Sequence, residues 1–378
     1  MPIEHLRYDE LHYRVSAADN AHLTWLRDFL LPHFEAGAGP GPQIEVRFEA
    51  DPEAYKRWLA APPAAGVLPT FVADSEVVSL PQRVSPAGTT VLWNEGHQVF
   101  SEVSPDRREA RVIAGGLPLI ARTDLLRAVR EYAMNHAQAS GDFFLHASCF
   151  QGDGRPVVVT APKNAGKTTL LMFACICGGA RILANDRVRV TRAPEGYRLR
   201  GMPTIVNVRA GSLDFFPTAG RRIAAEGLNF RLGRGERLEE ALPGVVLGRN
   251  GHFGLSPTQF ASLLGTTQVA AAADPVLVVP RITHRPGLFS LTRIGEEEAV
   301  ALLRDSLFGS RHWATSTPVF NLDPSGADHD RASLERRSRD FASSCPCFIC
   351  EIGTDLYGRP ENARAWMDAL QEAAAEPC

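Results

Sequence analysis

The sequence predicts an α/β protein in two parts, an N-terminal α+β domain over residues 1–140 and a larger α/β domain over residues 141–378. Three observations carry this. The chain has 378 residues, more than one domain of about 150 residues accounts for. The first part alternates short amphipathic strands and helices. From Phe143 onward the order becomes apolar strand, glycine-containing loop, apolar helix and strand, as a parallel sheet with a crossover helix requires.

In the first part, Leu11, Tyr13 and Val15 alternate with His12, Arg14 and Ser16, the period of a half-buried strand. Asn20 is the expected cap of a helix carrying Leu23, Leu26, Phe29 and Leu30 and ending near Pro32. Ile44, Val46 and Phe48 mark the next strand. Asp51-Pro52 opens a short helix through Trp58, cap and first-turn proline in their preferred order. Val91–Trp93 and Val99–Val103 flank the turn signal Asn94-Glu95-Gly96 and predict a hairpin. Thr123 is the expected cap of a longer helix bearing Leu125, Leu126, Val129, Tyr132 and Ala133. No motif here names a chemistry.

In the second part, Phe143–Phe150 and Pro156–Thr160 are apolar strands around the turn Gly152-Asp153-Gly154. A helix runs through Leu170–Cys177, and one strand is expected over Arg181–Val190. Later strands are expected at Val276–Val279, Leu288–Thr292, Val319–Leu322 and Phe348–Ile352. Helices are expected at Glu296–Leu307, Ser333–Ala342 and Glu361–Ala375.

Composition narrows the function classes. With 40 basic and 43 acidic side chains the formal net charge is -3, which disfavours nucleic acid or a membrane surface as a partner held by bulk charge. No apolar run approaches the roughly 18 residues of a membrane span. The start, with Glu4 and no apolar stretch behind it, shows no secretory signal. Seven cysteines, an odd number, with Cys345, Cys347 and Cys350 clustered, point to reduced thiols and a cytoplasmic address. Cys-x-Cys-x-x-Cys is a conceivable thiolate set for zinc, but no fourth ligand is evident at a suitable spacing, and Phe348–Ile352 reads as buried strand.

The strongest chemical signal is Ala161-Pro162-Lys163-Asn164-Ala165-Gly166-Lys167-Thr168-Thr169. It matches the phosphate-loop pattern G-x-x-x-x-G-K-[ST] at every fixed position but the first, where Ala161 stands for glycine. Backbone N–H groups from Asn164 to Thr168 can line an anion site at the start of a helix, where the dipole also favours negative charge. Gly166 lets the backbone approach phosphate. Lys167 is expected to reach the β and γ phosphates and the Thr168 hydroxyl to ligate Mg²⁺; Lys163, Ala165 and Thr169 complete the expected cradle. Farther on, Leu183–Val190 sets Asp186 in the next strand, in reach of Mg²⁺ directly or through water. Arg187 and Arg189 flank that acid and are candidate cations for the transferred phosphoryl oxygens, with Arg209 and Arg285 beyond them and Arg187 preferred.

Leu145-His146-Ala147-Ser148, the loop 161–169 and Leu183-Ala184-Asn185-Asp186-Arg187-Val188 together resemble the HPr kinase/phosphorylase family and its looser relatives. More distantly they resemble the nucleotide fold of ATP-dependent phosphoenolpyruvate carboxykinase. The resemblance covers about residues 143–190. It implies a phosphate-loop kinase fold, ATP and Mg²⁺ as cofactors, and phosphorylation of a hydroxyl on a peptide or small-molecule acceptor, with the N-terminal domain a candidate for recognising that acceptor. By the same resemblance His146 assists the base that takes the acceptor proton, and Asp186 matches the second of two adjacent family acids. The first of those acids, the base, is here Asn185, and an amide takes no proton at neutral pH. Three routes stay open: Asp186 doubles as base, His146 acts alone, or ATP serves another end. The last covers activation of a carboxylate for ligation and nucleotide-dependent regulation without transfer.

Overall fold

The computed structural model describes every residue except 38, 40–42, 62–66, 74–75, 163, 234–235, 237–250, 284, 309–318, 323–330 and 377–378, and the side chains at 67–79, 331 and 358. The protein is mixed α/β, with two large mixed sheets in two units. The first unit comprises Met1–Ser140 with Arg231–Val245 and Arg311–His329. The second comprises Gly141–Phe230, Val246–Ser310 and Asp330–Cys378. A division into 1–140 and 141–378 leaves out the two later segments of the first unit.

The first unit holds strands β1 (Ile3–Tyr8), β2 (Leu11–Ala17), β3 (Glu35–Ala36), β4 (Gln43–Ala50), β5 (Val67–Ala73), β6 (Glu76–Val84), β7 (Thr90–Asn94), β8 (Val99–Val103) and β9 (Glu109–Ala114). They form one sheet in the order β3-β1-β2-β4-β9-β8-β7-β6-β5. β2, β4 and β9 run parallel, and the other neighbours are antiparallel. Three helices pack on it: α1 (Asn20–Leu30), α2 (Pro52–Leu59) and α3 (Pro118–Ala139).

Local chemistry explains the starts of these helices and corrects two expected caps. Asp19, not Asn20, caps α1, its carboxylate accepting from the Ala21 N–H at 2.9 Å. Asp51 caps α2 by accepting from the N–H groups of Glu53 and Ala54. Helix α3 begins five positions before Thr123, at Pro118, whose fixed φ suits a first helical turn. Thr123 lies inside the helix, its hydroxyl donating back to the Ile120 carbonyl at 2.7 Å. Val319–Leu322 is not a strand: the Val319 and Phe320 carbonyls accept from the side chains of Arg107 and Asn135 instead of a ladder.

The second unit holds β10 (Phe143–Gln151), β11 (Val157–Thr160), α4 (Lys167–Gly178), β12 (Arg181–Ala184), β13 (Arg187–Ala193), β14 (Gly196–Gly201), β15 (Val206–Arg209), α5 (Ala210–Leu213) and α6 (Pro217–Glu226). Then come β16 (His252–Leu255), α7 (Pro257–Leu264), β17 (Ala271–Ala273), β18 (Val276–Ile282), β19 (Phe289–Arg293), α8 (Glu296–Arg304), α9 (Arg331–Ser344), β20 (Cys347–Ile352) and α10 (Glu361–Ala375). The main sheet has the order β17-β14-β13-β10-β11-β18-β20-β19, with β12 also on β10, and β15 and β16 form a separate pair.

The strand expected over Arg181–Val190 is two strands, broken at Asn185-Asp186. The parallel neighbours are β11, β18 and β20. β12, the strand after the helix, does not pair with β11. Both pair antiparallel with β10, which lies between them. The core under this sheet gathers Phe150, Val157 and Val159 with Leu170, Leu171 and Phe173 of α4 and Trp366 of α10, all buried. Apolar side chains on nearly every face of α4 explain why it is sunk in the unit. Among the described residues, no helix is long and apolar enough to cross a membrane.

Candidate functional site

Buried β11 leads straight into the loop 161–166 and then α4. The loop turns through left-handed backbone at Asn164 (φ 74°) and Gly166 (φ 89°). Gly166 is the N-cap of α4 and offers no side-chain acceptor to the first helical amides, so those N–H groups are left for another partner. A Cβ at Gly166 would sit 3.1 Å from the Ile282 Cδ1 of β18, in a backbone conformation that L-residues disfavour. Ala161 is not among the positive-φ positions, so its methyl group replaces glycine without backbone strain.

Lys167 is 8% exposed. Its ammonium donates to two carbonyls of its own loop, Ala161 at 2.6 Å and Pro162 at 3.2 Å. Burial pulls its pKa below the ordinary lysine value, against the pull of the nearby Asp186 carboxylate. A buried cation with one carboxylate for company is electrostatically suited to a polyanion. Thr168 is half-buried. The Thr169 hydroxyl is engaged with Ser212 of α5 at 2.9 Å, which ties α4 to its neighbour. Asn164 is exposed and Ala165 half-buried. Lys163 lies outside the described residues.

The acid is placed by the break between β12 and β13. β10 pairs with β13 along Phe143–His146 and with β12 along Cys149–Gln151. In the gap, Ala147 N–H donates to the Asp186 carbonyl at 3.1 Å and the Ser148 hydroxyl to the Asn185 carbonyl at 2.8 Å. The interrupted ladder is thus satisfied, and the two side chains are freed from strand alternation. His146 Nε2 lies 3.1 Å from Asp186 Oδ1, and Arg187 Nε lies 3.5 Å from Asp186 Oδ2. One carboxylate is therefore flanked by an imidazole on one oxygen and a guanidinium on the other. Asn185 Oδ1 is buried with no hydrogen-bond partner among the described residues.

The structure thus groups His146, Asp186 and Arg187, with Lys167 within electrostatic reach of the acid. Arg189 belongs elsewhere: its Nε donates to buried Asp142 at 2.5 Å, a pair that also takes the Thr191 hydroxyl. Arg209 and Arg285 are exposed. Cys345, Cys347 and Cys350 are free, buried thiols. Burial pushes Cys345 and Cys347 up to about 12 and Cys350 up to about 11, which favours the protonated thiols. No cluster of three His, Cys, Asp or Glu able to hold a metal occurs among the described residues.

Sequence reasoning missed Thr160, Ser306 and Phe308. The Thr160 hydroxyl donates to Ser306 Oγ at 2.5 Å, the Ser306 carbonyl accepts from His146 N–H at 2.7 Å, and the Arg187 guanidinium lies over the Phe308 ring at 4.1 Å. The sequence carries no signal for them, because each contact joins residues more than a hundred positions apart. No protein-family model matches the chain, and a search of curated proteins finds no match.

Proposed function

We propose that the second unit is a phosphate-loop kinase of the HPr kinase/phosphoenolpyruvate carboxykinase type. It moves the γ-phosphoryl group of ATP to a hydroxyl of a peptide or small molecule. The observation that carries this is the buried Lys167 ammonium beside a carboxylate–imidazole pair at the end of a strand–loop–helix unit. Carboxyl ends of strands are where such sheets take ligands.

The donor set fits Mg²⁺, which keeps most of its waters and needs only one or two protein oxygens. Thr168 and Asp186 would supply them, and the ion would neutralise charge on the β and γ phosphates. Lys167 exchanges its two loop carbonyls for phosphate oxygens, and the first amides of α4 complete the cradle. Arg187 adds charge beside the acid. With its Nε2–H directed at Asp186, the His146 ring keeps Nδ1 as its acceptor. The acceptor hydroxyl gives its proton to that nitrogen as its oxygen bonds to phosphorus and the bond to the departing ADP breaks. This route needs no acid at Asn185.

The test is incubation with γ-labelled ATP and an extract of the source cells. Label in an acceptor, lost with Lys167→Ala, is the expected result. Label only in free phosphate beside a newly formed amide indicates carboxylate activation. ATP that raises the melting temperature yet stays intact removes catalysis from the reading. An unaffected rate in Lys167→Ala removes the loop from the mechanism.

A further inference from the structure

The segment Ser306–Phe308 follows α8 and fills an edge that β11 leaves open. β11 pairs with Ala147–Phe150 of β10 and stops. Along the rest of that strand, His146 N–H donates to the Ser306 carbonyl at 2.7 Å, Leu307 bridges Leu145, and Phe308 N–H donates to the Phe144 carbonyl at 2.8 Å. Two chain segments therefore lie end to end against one strand. Their ends are joined by the Thr160–Ser306 hydroxyl bond, with both side chains almost wholly buried. Thr160 is the residue immediately before the phosphate loop.

The same segment reaches the second partner of Asp186. The Phe308 ring sits 4.1 Å beneath the Arg187 guanidinium, which is itself buried. A desolvated cation on an aromatic face is held in place as well as attracted. His146, which meets one oxygen of Asp186, is thus seated through its backbone on Ser306. Arg187, which meets the other, is seated through its side chain on Phe308.

We infer that Ser306 and Phe308 are positioning residues: the segment sets His146 and Arg187 on the two oxygens of Asp186 and joins that pair to the strand feeding the phosphate loop. The inference rests on the phosphotransferase reading for its catalytic meaning; its geometric content is independent of it. Ser306 does its part chiefly through a backbone carbonyl, so Phe308 is the side chain to test.

Three proteins are compared: the wild type, Phe308→Leu, which keeps apolar volume but removes the ring, and Phe308→Tyr, which restores it. In Phe308→Leu, phosphoryl transfer is expected to fall about tenfold in kcat, with the ATP dissociation constant within about twofold of wild type. The NMR order parameter of the Arg187 Nε–H is expected to fall clearly below that of the wild type. Phe308→Tyr should recover both. Folded Phe308→Leu protein with Arg187 as rigid as in the wild type overturns the inference, whatever the activity. If Arg187 loosens in a protein whose wild type transfers no phosphoryl group, the positioning stands and the kinase reading falls. If Arg187 loosens while kcat is unchanged, the positioning has no catalytic role.

Discussion

Each unit contains an aspartate flanked by a histidine and an arginine, and the two sets differ in how closed they are. In the first unit Asp124 is 3% exposed and its carboxylate meets His97 Nδ1 at 2.5 Å, Arg127 at 2.6 Å and the Asn94 amide at 3.0 Å. In the second, Asp186 is 35% exposed and its flanking contacts are 3.1 and 3.5 Å. Burial alone would raise the Asp124 pKa, but Arg127, His97 and Asn94 outweigh it and hold the carboxyl below its ordinary value. That closed set pins the turn at 95–97 to α3. The open set leaves carboxylate surface for a ligand and lies near a buried ammonium. The same three residue types thus make a sealed brace in the first unit and a more exposed set in the second.

The contrast breaks or sharpens at four places. Asp186→Asn should cut phosphoryl transfer by about a thousandfold, or roughly 4 kcal/mol of transition-state stabilisation. It should cost less stability than the loss of Asp124, because Asp186 is 35% exposed, although the buried Arg187 loses its counter-charge. Single-turnover transfer and thermal melts read both, and a large stability loss with little rate loss would place Asp186 among the braces.

Asp124→Asn should do the reverse, costing about 3 kcal/mol of stability, because a buried ion network loses its anion, and leaving ATP affinity unchanged. The depressed pKa sets the sign. The stabilisation is fully present above the unfolded value of about 3.9 and is lost as pH falls through the lower folded value. Urea titrations at pH 7 and pH 3 should therefore show the deficit of the variant shrinking at the lower pH. A deficit of equal size at both would assign it to packing.

Lys167→Met concerns the ammonium beside the open set. Since burial lowers the Lys167 pKa, the charged form costs stability at neutral pH, and that cost fades as pH rises through the folded value. The variant should melt no lower than the wild type, or higher by up to about 1 kcal/mol, while losing all stabilisation by ATP. A marked fall in melting temperature would mean that the bonds to Ala161 and Pro162 hold the loop together. The smallest expected effect is that of Asn185→Asp. A carboxylate there should speed slow hydroxyl phosphorylation by a few fold in a steady-state assay; loss of activity would show the amide to be a working group.

Much of the site was legible because its signals are local. The loop residues 161–168 read as a phosphate cradle from their order alone, and Asp51-Pro52 marked a helix start, since backbone angles and caps depend on adjacent residues. The Thr123 cap failed because Pro118 opens the same helix earlier. Arg187 and Arg189 look alike in sequence; only the burial of Asp142 beside one of them separates their roles.

From residue order came the candidate chemistry: a cation, an anion site at a helix start, a histidine before the loop strand and an aspartate after the helix. Tertiary pairing decided how they meet. β10 enters between β11 and β12, the ladder breaks at Asn185-Asp186, and Ser306–Phe308 closes the remaining edge. The physical reason is range. A turn or a cap is settled within a few residues. The choice of strand neighbour depends on which distant apolar faces and hydrogen-bonding edges remain to be covered, a property of the folded whole.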